Sequence, residues 1–139
     1  MKISDVMSRG VTVARPNDTI QSVAQRMASE DVGAIPVCDG QRLQGMITDR
    51  DITIRAVAKG DINAPVTEVM SSDIEYCFED DDLEDVADKM ADRQIRRIPV
   101  VDRDRNLVGI VALADLAREG KDKLTGNTVE DISQPNRTF

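Results

Sequence analysis

Residues 33–39 read Gly33-Ala34-Ile35-Pro36-Val37-Cys38-Asp39, and residues 96–102 read Arg96-Arg97-Ile98-Pro99-Val100-Val101-Asp102. The shared Ile-Pro-Val lies at an offset of 63 positions, and that offset reaches well beyond it. Val6-Met7-Ser8 returns as Val69-Met70-Ser71, and Ile20, Val23, Ala24 and Met27 return as Leu83, Val86, Ala87 and Met90. Past the next turn the offset becomes 64, matching Gly45 to Gly109 and Asp51 to Asp115, so the turn Asp102–Asn106 has gained one residue. Four blocks in the same order mark an internal duplication, a signal that outranks local propensity in deciding the fold.

Each copy predicts the same elements. A short turn opens near Ser4-Asp5 or Thr67-Glu68, and a short strand follows at Val11–Ala14 or Ile74–Phe78. Asp18 reads as the N-cap of a helix whose apolar residues fall at i, i+3, i+4 and i+7; in the second copy the cap is drawn from Asp80 to Asp82. The acidic run Glu79–Asp82, with Glu84 and Asp85, therefore favours a positive helix end rather than a cation. Strands at Ala34–Cys38 and Leu43–Thr48 follow, then Ile98–Val101 and Leu107–Ala112, each pair joined by a turn of hairpin length. A final helix runs from Thr48 to a stop near Gly60, and its partner from about Ala114 to Gly120. The fold class expected is mixed α/β: two β-α-β-β-α repeats packed face to face about a pseudo-twofold axis, since about 60 residues barely sustain a core alone. The boundaries expected are 1–62, 63–125 and a polar tail at 126–139. Residues 121–139 match nothing in copy one.

Composition narrows the chemistry. The chain of 139 residues has no histidine, which excludes a His-based triad, a His general base and a His-ligated zinc. Cys38 and Cys77 form no CxxC and read as reduced core thiols. One tyrosine and two phenylalanines are too few for a stacking platform for single strands. A net charge of −8 repels nucleic acid and anionic membranes. No apolar run reaches membrane-spanning length and no secretory leader is visible, so a cytoplasmic location is expected.

The openings SDVMS and TEVMS, the strands GAIPVCD and RRIPVVD, and the glycine-led GMITDRD and GIVALAD together resemble a tandem pair of CBS domains, a Bateman module. The resemblance covers residues 1 to about 120 and looks like the stand-alone bacterial two-CBS proteins, including hypoxic-response-type ones. It implies a regulatory, non-enzymatic module that binds an adenosine-containing ligand: AMP, ADP or ATP, with S-adenosylmethionine or NAD as alternatives. It also implies homodimers and a protein target that the sequence does not name.

Thr48 ends a strand where a helix begins, and a hydroxyl with free N–H groups there suits a phosphate. Asp51, one turn on, is an acceptor-only group suited to ribose hydroxyls. The resemblance implies that Thr48, Arg50 and Asp51 share a cleft with the other copy's Ile74, Tyr76, Arg96, Arg97, Ile98 and Pro99. Arg96 would be the bidentate phosphate donor. A second cleft would join Asp115 to Val11, Thr12, Gly33, Ala34, Ile35 and Pro36. Ala112 replaces the hydroxyl there and Gly33 replaces the arginine, so weaker binding or a ligand with less phosphate is expected. A ligand-free dimeric adaptor is the rival reading. A hydrolase using Asp49, Asp51 and a divalent metal lacks a partner base.

Overall fold

A computed structural model describes residues 1–118, so the tail expected at 126–139 and the helix end expected at Gly120 lie outside the described residues. The chain divides into two compact units. The first-copy unit is Thr12–Ile74; the second-copy unit combines Met1–Val11 with the chain from Glu75 onward. The units are thus cut differently from the repeats: each V-M-S opening segment packs on the body of the opposite copy.

In the first-copy unit, α1 (Ile20–Glu30) leads to the antiparallel pair β1 (Ala34–Asp39) and β2 (Arg42–Thr48). A segment we call α2 follows: one α turn at Asp49–Asp51, π-helix at Ile52–Ala56, then a 3-10 turn at Val57–Lys59. It stops at Gly60, whose φ of 76° is the left-handed conformation glycine adopts without penalty. The amphipathic stripe on α1 buries Ile20, Val23 and Met27 in a cluster with Ile35, Val37, Ile47 and Val66. Each fully buried side chain of this kind contributes about 1.5–3 kcal/mol.

The second-copy unit repeats the pattern with β3 (Cys77–Phe78), α3 (Leu83–Arg93), β4 (Arg97–Val101), β5 (Leu107–Ala112) and α4 (Leu113–Arg118). Here β3 runs parallel to β4, and β4 antiparallel to β5. Leu83, Val86, Ala87 and Met90 of α3 pack with Ile98, Val100 and Val111, and with Ile3, Val6 and Met7 of the opening segment.

Two sequence expectations need correction, and a third is narrowed within the range it gave. The strand at Val11–Ala14 shrinks to a single bridge, Ala14 to Val37. The N-cap of α1 is Thr19, whose Oγ1 accepts from the Ser22 N–H, because Asp18 is already engaged by the Arg15 N–H in the preceding turn. In the second copy Asp81 takes the matching Phe78 N–H, Asp82 occupies the cap position, and Asp80 pairs with Arg103 at 2.9 Å.

Candidate functional site

The glycine that begins each GMITDRD-like motif is fixed by the opening segments. Ser71 and Met46 exchange two backbone hydrogen bonds of 2.9 Å, and Ser8 and Ile110 do the same at 2.8 and 3.0 Å. A Cβ on Gly45 would lie 2.5 Å from the Ser71 carbonyl oxygen; one on Gly109 would lie 2.7 Å from that of Ser8. Close backbone approach therefore excludes any side chain there.

Just beyond, β2 ends and α2 starts in a capping box. Thr48 Oγ1 accepts from the Asp51 N–H and Asp51 Oδ2 accepts from the Thr48 N–H, both at 3.1 Å. Such a box satisfies two orphan donors reciprocally and fixes both side chains at one helix turn. Both residues are half-buried, so they are held yet reachable from solvent. The β1–β2 register sets Ala34 opposite Thr48, and the Asp49 N–H donates to the Gly33 carbonyl at 2.9 Å. A Cβ on Gly33, where the second copy has Arg96, would approach the Asp49 carboxylate to 3.0 Å, a tight contact that the Asp49 side chain would have to relieve by shifting. Thr48, Asp51, Gly33, Ala34, Ile35 and Pro36 thus all lie on the first-copy unit, with Thr12 and Ile74 in the same unit and Arg50 on the α2 turn.

The second-copy unit builds half of that box. Asp115 Oδ2 accepts from the Ala112 N–H at 2.7 Å, but Ala112 has no hydroxyl to return the bond. Asp115 is buried, whereas Asp51 is half-exposed. Arg97 pairs with Ala112, and the Leu113 N–H donates to the Arg96 carbonyl at 2.9 Å. Arg96, Arg97, Ile98 and Pro99 therefore lie along the strand beside Asp115's own motif, in the unit that also holds Val11 and Tyr76.

Other expected residues are engaged locally. Thr12 donates its hydroxyl to Glu30 at 2.5 Å. Lys89 donates to the Tyr76 carbonyl at 2.6 Å, and Arg105 donates to the Tyr76 hydroxyl at 2.6 Å. The Tyr76 ring meets Phe78 edge-on at 5.8 Å. Both cysteines are buried free thiols. Burial, reinforced by the Asp81 charge and only partly offset by Lys89, pushes the Cys77 thiol up to about 12. Burial likewise raises Cys38, against the opposing pull of Arg15. Neither thiol is a nucleophile near neutral pH.

Two copies, each carrying a glycine-led strand that turns into a capped helix with an acid one turn along, decide the family. The chain belongs to the CBS domain family. CBS domains match at residues 3–57 and 66–122. The CBS domain-containing protein YhcV of Bacillus subtilis is 45% identical over 136 residues, covering 96% of each chain. Hypoxic response protein 1 of Mycobacterium tuberculosis is 39% identical over 134 residues, covering 94% of this chain and 93% of its own. The crystal structure of Hypoxic Response Protein I, described with two coordinated zinc ions, superposes with a TM-score of 0.77 at 38% identity, over 86% of this chain and 98% of that one. The CBS domain pair of protein MJ0100, described in complex with 5-methylthioadenosine and S-adenosyl-L-methionine, gives 0.75 at 30% identity, over 88% and 98%. The α/β fold of CBS pairs is thereby shared by this chain. The zinc of the first structure does not fit the described residues here: the sequence has no histidine, and no three Cys, Asp or Glu side chains among the described residues are grouped to hold a metal. No helix among them is long and apolar enough to cross a membrane.

Proposed function

We propose that this CBS pair is a non-catalytic sensor of an adenosine-containing ligand, with AMP, ADP or ATP as the preferred class. The observation that carries this reading is the Thr48–Asp51 box. It commits Asp51 Oδ2 to the backbone, so Oδ1 is the oxygen that a ribose diol would meet. The N–H groups of Asp49, Arg50 and Asp51 are taken by the Gly33 carbonyl, the Asp49 carboxylate and the Thr48 hydroxyl, so a phosphate would meet the Thr48 hydroxyl and the partial positive charge of the helix start rather than free backbone donors. In this reading Arg96 and Arg97 would supply guanidinium donors to the same ligand, while Ile74, Tyr76, Ile98 and Pro99 would form its apolar wall and Arg50 would flank the turn. The adenosine ligands of the MJ0100 CBS pair support the ligand class.

The Asp115 site is the weaker of the two in this reading. It keeps a ribose acceptor but has Ala112 for the hydroxyl. Of its other expected contributors, Thr12 is tied to Glu30, and Gly33 abuts the Asp49 carboxylate, which repels phosphate. An uncharged or cationic adenosine derivative such as S-adenosylmethionine suits it better. Val11, Ala34, Ile35 and Pro36 would line it.

Binding would act on a protein target by stabilising one arrangement of the chain over another, which requires differential affinity for the two. Self-association as a homodimer is supported by exposed Ile54, Val57 and Ile62 on and just after α2. Sedimentation of Ile54→Asp would then report a monomer where the unmodified chain is dimeric. The ligand test is calorimetry with AMP. Asp51→Ala should weaken binding by about 1.5–3 kcal/mol, the worth of a hydrogen bond to a charged group. Arg96→Gln should weaken AMP more than adenosine. Unchanged AMP affinity in both variants would refute the site.

A further inference from the structure

Each hairpin carries one more cross-strand pair beyond its last strand residues. Ala34 faces Thr48 at the end of β1–β2, and Arg97 faces Ala112 at the end of β4–β5. One further backbone bond extends each ladder: the Asp49 N–H donates to the Gly33 carbonyl and the Leu113 N–H to the Arg96 carbonyl, both at 2.9 Å. Residues opposite one another in an antiparallel ladder hold their side chains on one face, with Cβ atoms about 4.5–5.5 Å apart, and opposite charges there attract. Gly33 is therefore the cross-strand partner of Asp49, and Arg96 that of Leu113.

The first copy shows how closely such a pair meets. The three heavy atoms nearest a Cβ at position 33 all belong to the Asp49 carboxyl group, at 3.0, 3.4 and 3.6 Å. A side chain at the start of the helical turn thus reaches over its partner on the strand. The chain has an acid for one of these places and an arginine for the other, yet divides them between copies: Asp49 faces glycine, and Arg96 faces leucine. Arginine opposite aspartate would make a charge-assisted pair, the fork of the guanidinium matching the two carboxylate oxygens. Leu113 offers no anion and packs instead against the second-copy core.

We propose that Leu113 is a positioning residue that sets the preference for phosphate. By withholding a carboxylate opposite Arg96, it keeps the protein's own strand pair from competing with a nucleotide phosphate for the guanidinium. The inference rests on the nucleotide reading given above and adds to it the residue, remote from the Thr48–Asp51 box in sequence, on which phosphate recognition by Arg96 depends.

The test compares Leu113→Asp with Leu113→Asn in the full-length chain, each with Arg96 and with Arg96→Gln. Both substitutions lose the leucine packing, so they differ by one charge. Any favourable effect of an acid at the helix start, or its direct repulsion of phosphate, is common to both backgrounds, and the cycle isolates the coupling to Arg96. Two readouts should agree. In chemical denaturation the Asp variant should gain on the Asn variant by about threefold more in the unfolding constant when Arg96 is present, the size of a cross-strand charge pair. In calorimetry the Asp variant should fall behind the Asn variant in AMP affinity by about the same factor, because AMP must break that pair, while adenosine shows no such coupling. Should Leu113→Asp fail to fold, Leu113→Glu against Leu113→Gln makes the same comparison with longer side chains. Absence of AMP binding by the unmodified chain would remove the site and the inference together. AMP binding with the same Asp-to-Asn ratio in both backgrounds would overturn the inference and leave the site standing.

Discussion

The two units place the same ties at matching positions and differ where a ligand would touch. Arg15 N–H to Asp18 and Phe78 N–H to Asp81 are the same 2.9 Å bond, 63 residues apart. Arg26 donates to the Val13 carbonyl as Lys89 donates to that of Tyr76. Position 12 meets position 30 as a threonine–glutamate hydrogen bond, and position 75 meets position 93 as a Glu75–Arg93 ion pair at 3.3 Å. Asp31 and Gln94 close their helices with φ of 55° and 57°. Against this constancy, the capping box is whole at Thr48–Asp51 and half-built at Ala112–Asp115. The helical segment after Thr48 departs from α geometry: the Val57 N–H is shared by the carbonyls of Ile52 and Thr53. Duplication has kept the scaffold bonds and varied the helix end that would meet a guest.

The most damaging way to break this comparison is to crowd the shared glycine. Gly45→Ala should cost about 3 kcal/mol in chemical denaturation, the upper range for forcing atoms into a packed site. Gly109→Ala should cost less, since one of its neighbours is the flexible Met7 side chain as well as the Ser8 backbone. Equal and negligible costs would show that the opening segments do not bind these strands as described.

A smaller effect sharpens it. Ala112→Thr should complete the second box and stabilise the second-copy unit by about 1 kcal/mol, the usual gain from an N-cap hydroxyl. It should also raise affinity for phosphate-bearing ligands at the Asp115 site. A melting temperature unchanged or lowered would mean the position does not act as a cap.

A third test is the pH dependence that the Cys77 thiol adds to the second-copy unit. Cys77 occupies the place that Ala14 fills in the first copy. Its native thiol holds its proton to about 12 while the unfolded thiol ionises near 9.0, so its contribution is complete below 9.0 and is lost as pH rises toward 12. Relative to Cys77→Ala, the unmodified chain should therefore lose stability across that window. Parallel stability curves for the two proteins would contradict the burial of this thiol.

Much of this was legible in the residues because duplication prints its own register. The helical stripes at Ile20–Met27 and Leu83–Met90, both hairpins and the acid after each glycine-led strand follow from period and spacing. The partner of each opening segment was not legible, since Val6-Met7-Ser8 carries apolar pattern but no label for which body it joins. Thr19 rather than Asp18 caps α1 because two adjacent cap-formers divide two neighbouring N–H groups, a choice made by the turn before the helix. The π turn at Ile52–Ala56 leaves no periodic signature in five residues. The arginine at position 96 was visible, but its neighbour Leu113 emerges only from the β4–β5 register.

The central claim is that the whole box binds phosphate-bearing adenosine ligands better than the half box. The direct measurement is calorimetric titration of AMP into the unmodified chain, Asp51→Ala and Asp115→Ala. The account predicts that Asp51→Ala loses about 1.5–3 kcal/mol of affinity and that Asp115→Ala leaves the tight site in place. Loss confined to Asp115→Ala, or none in either variant, would contradict it.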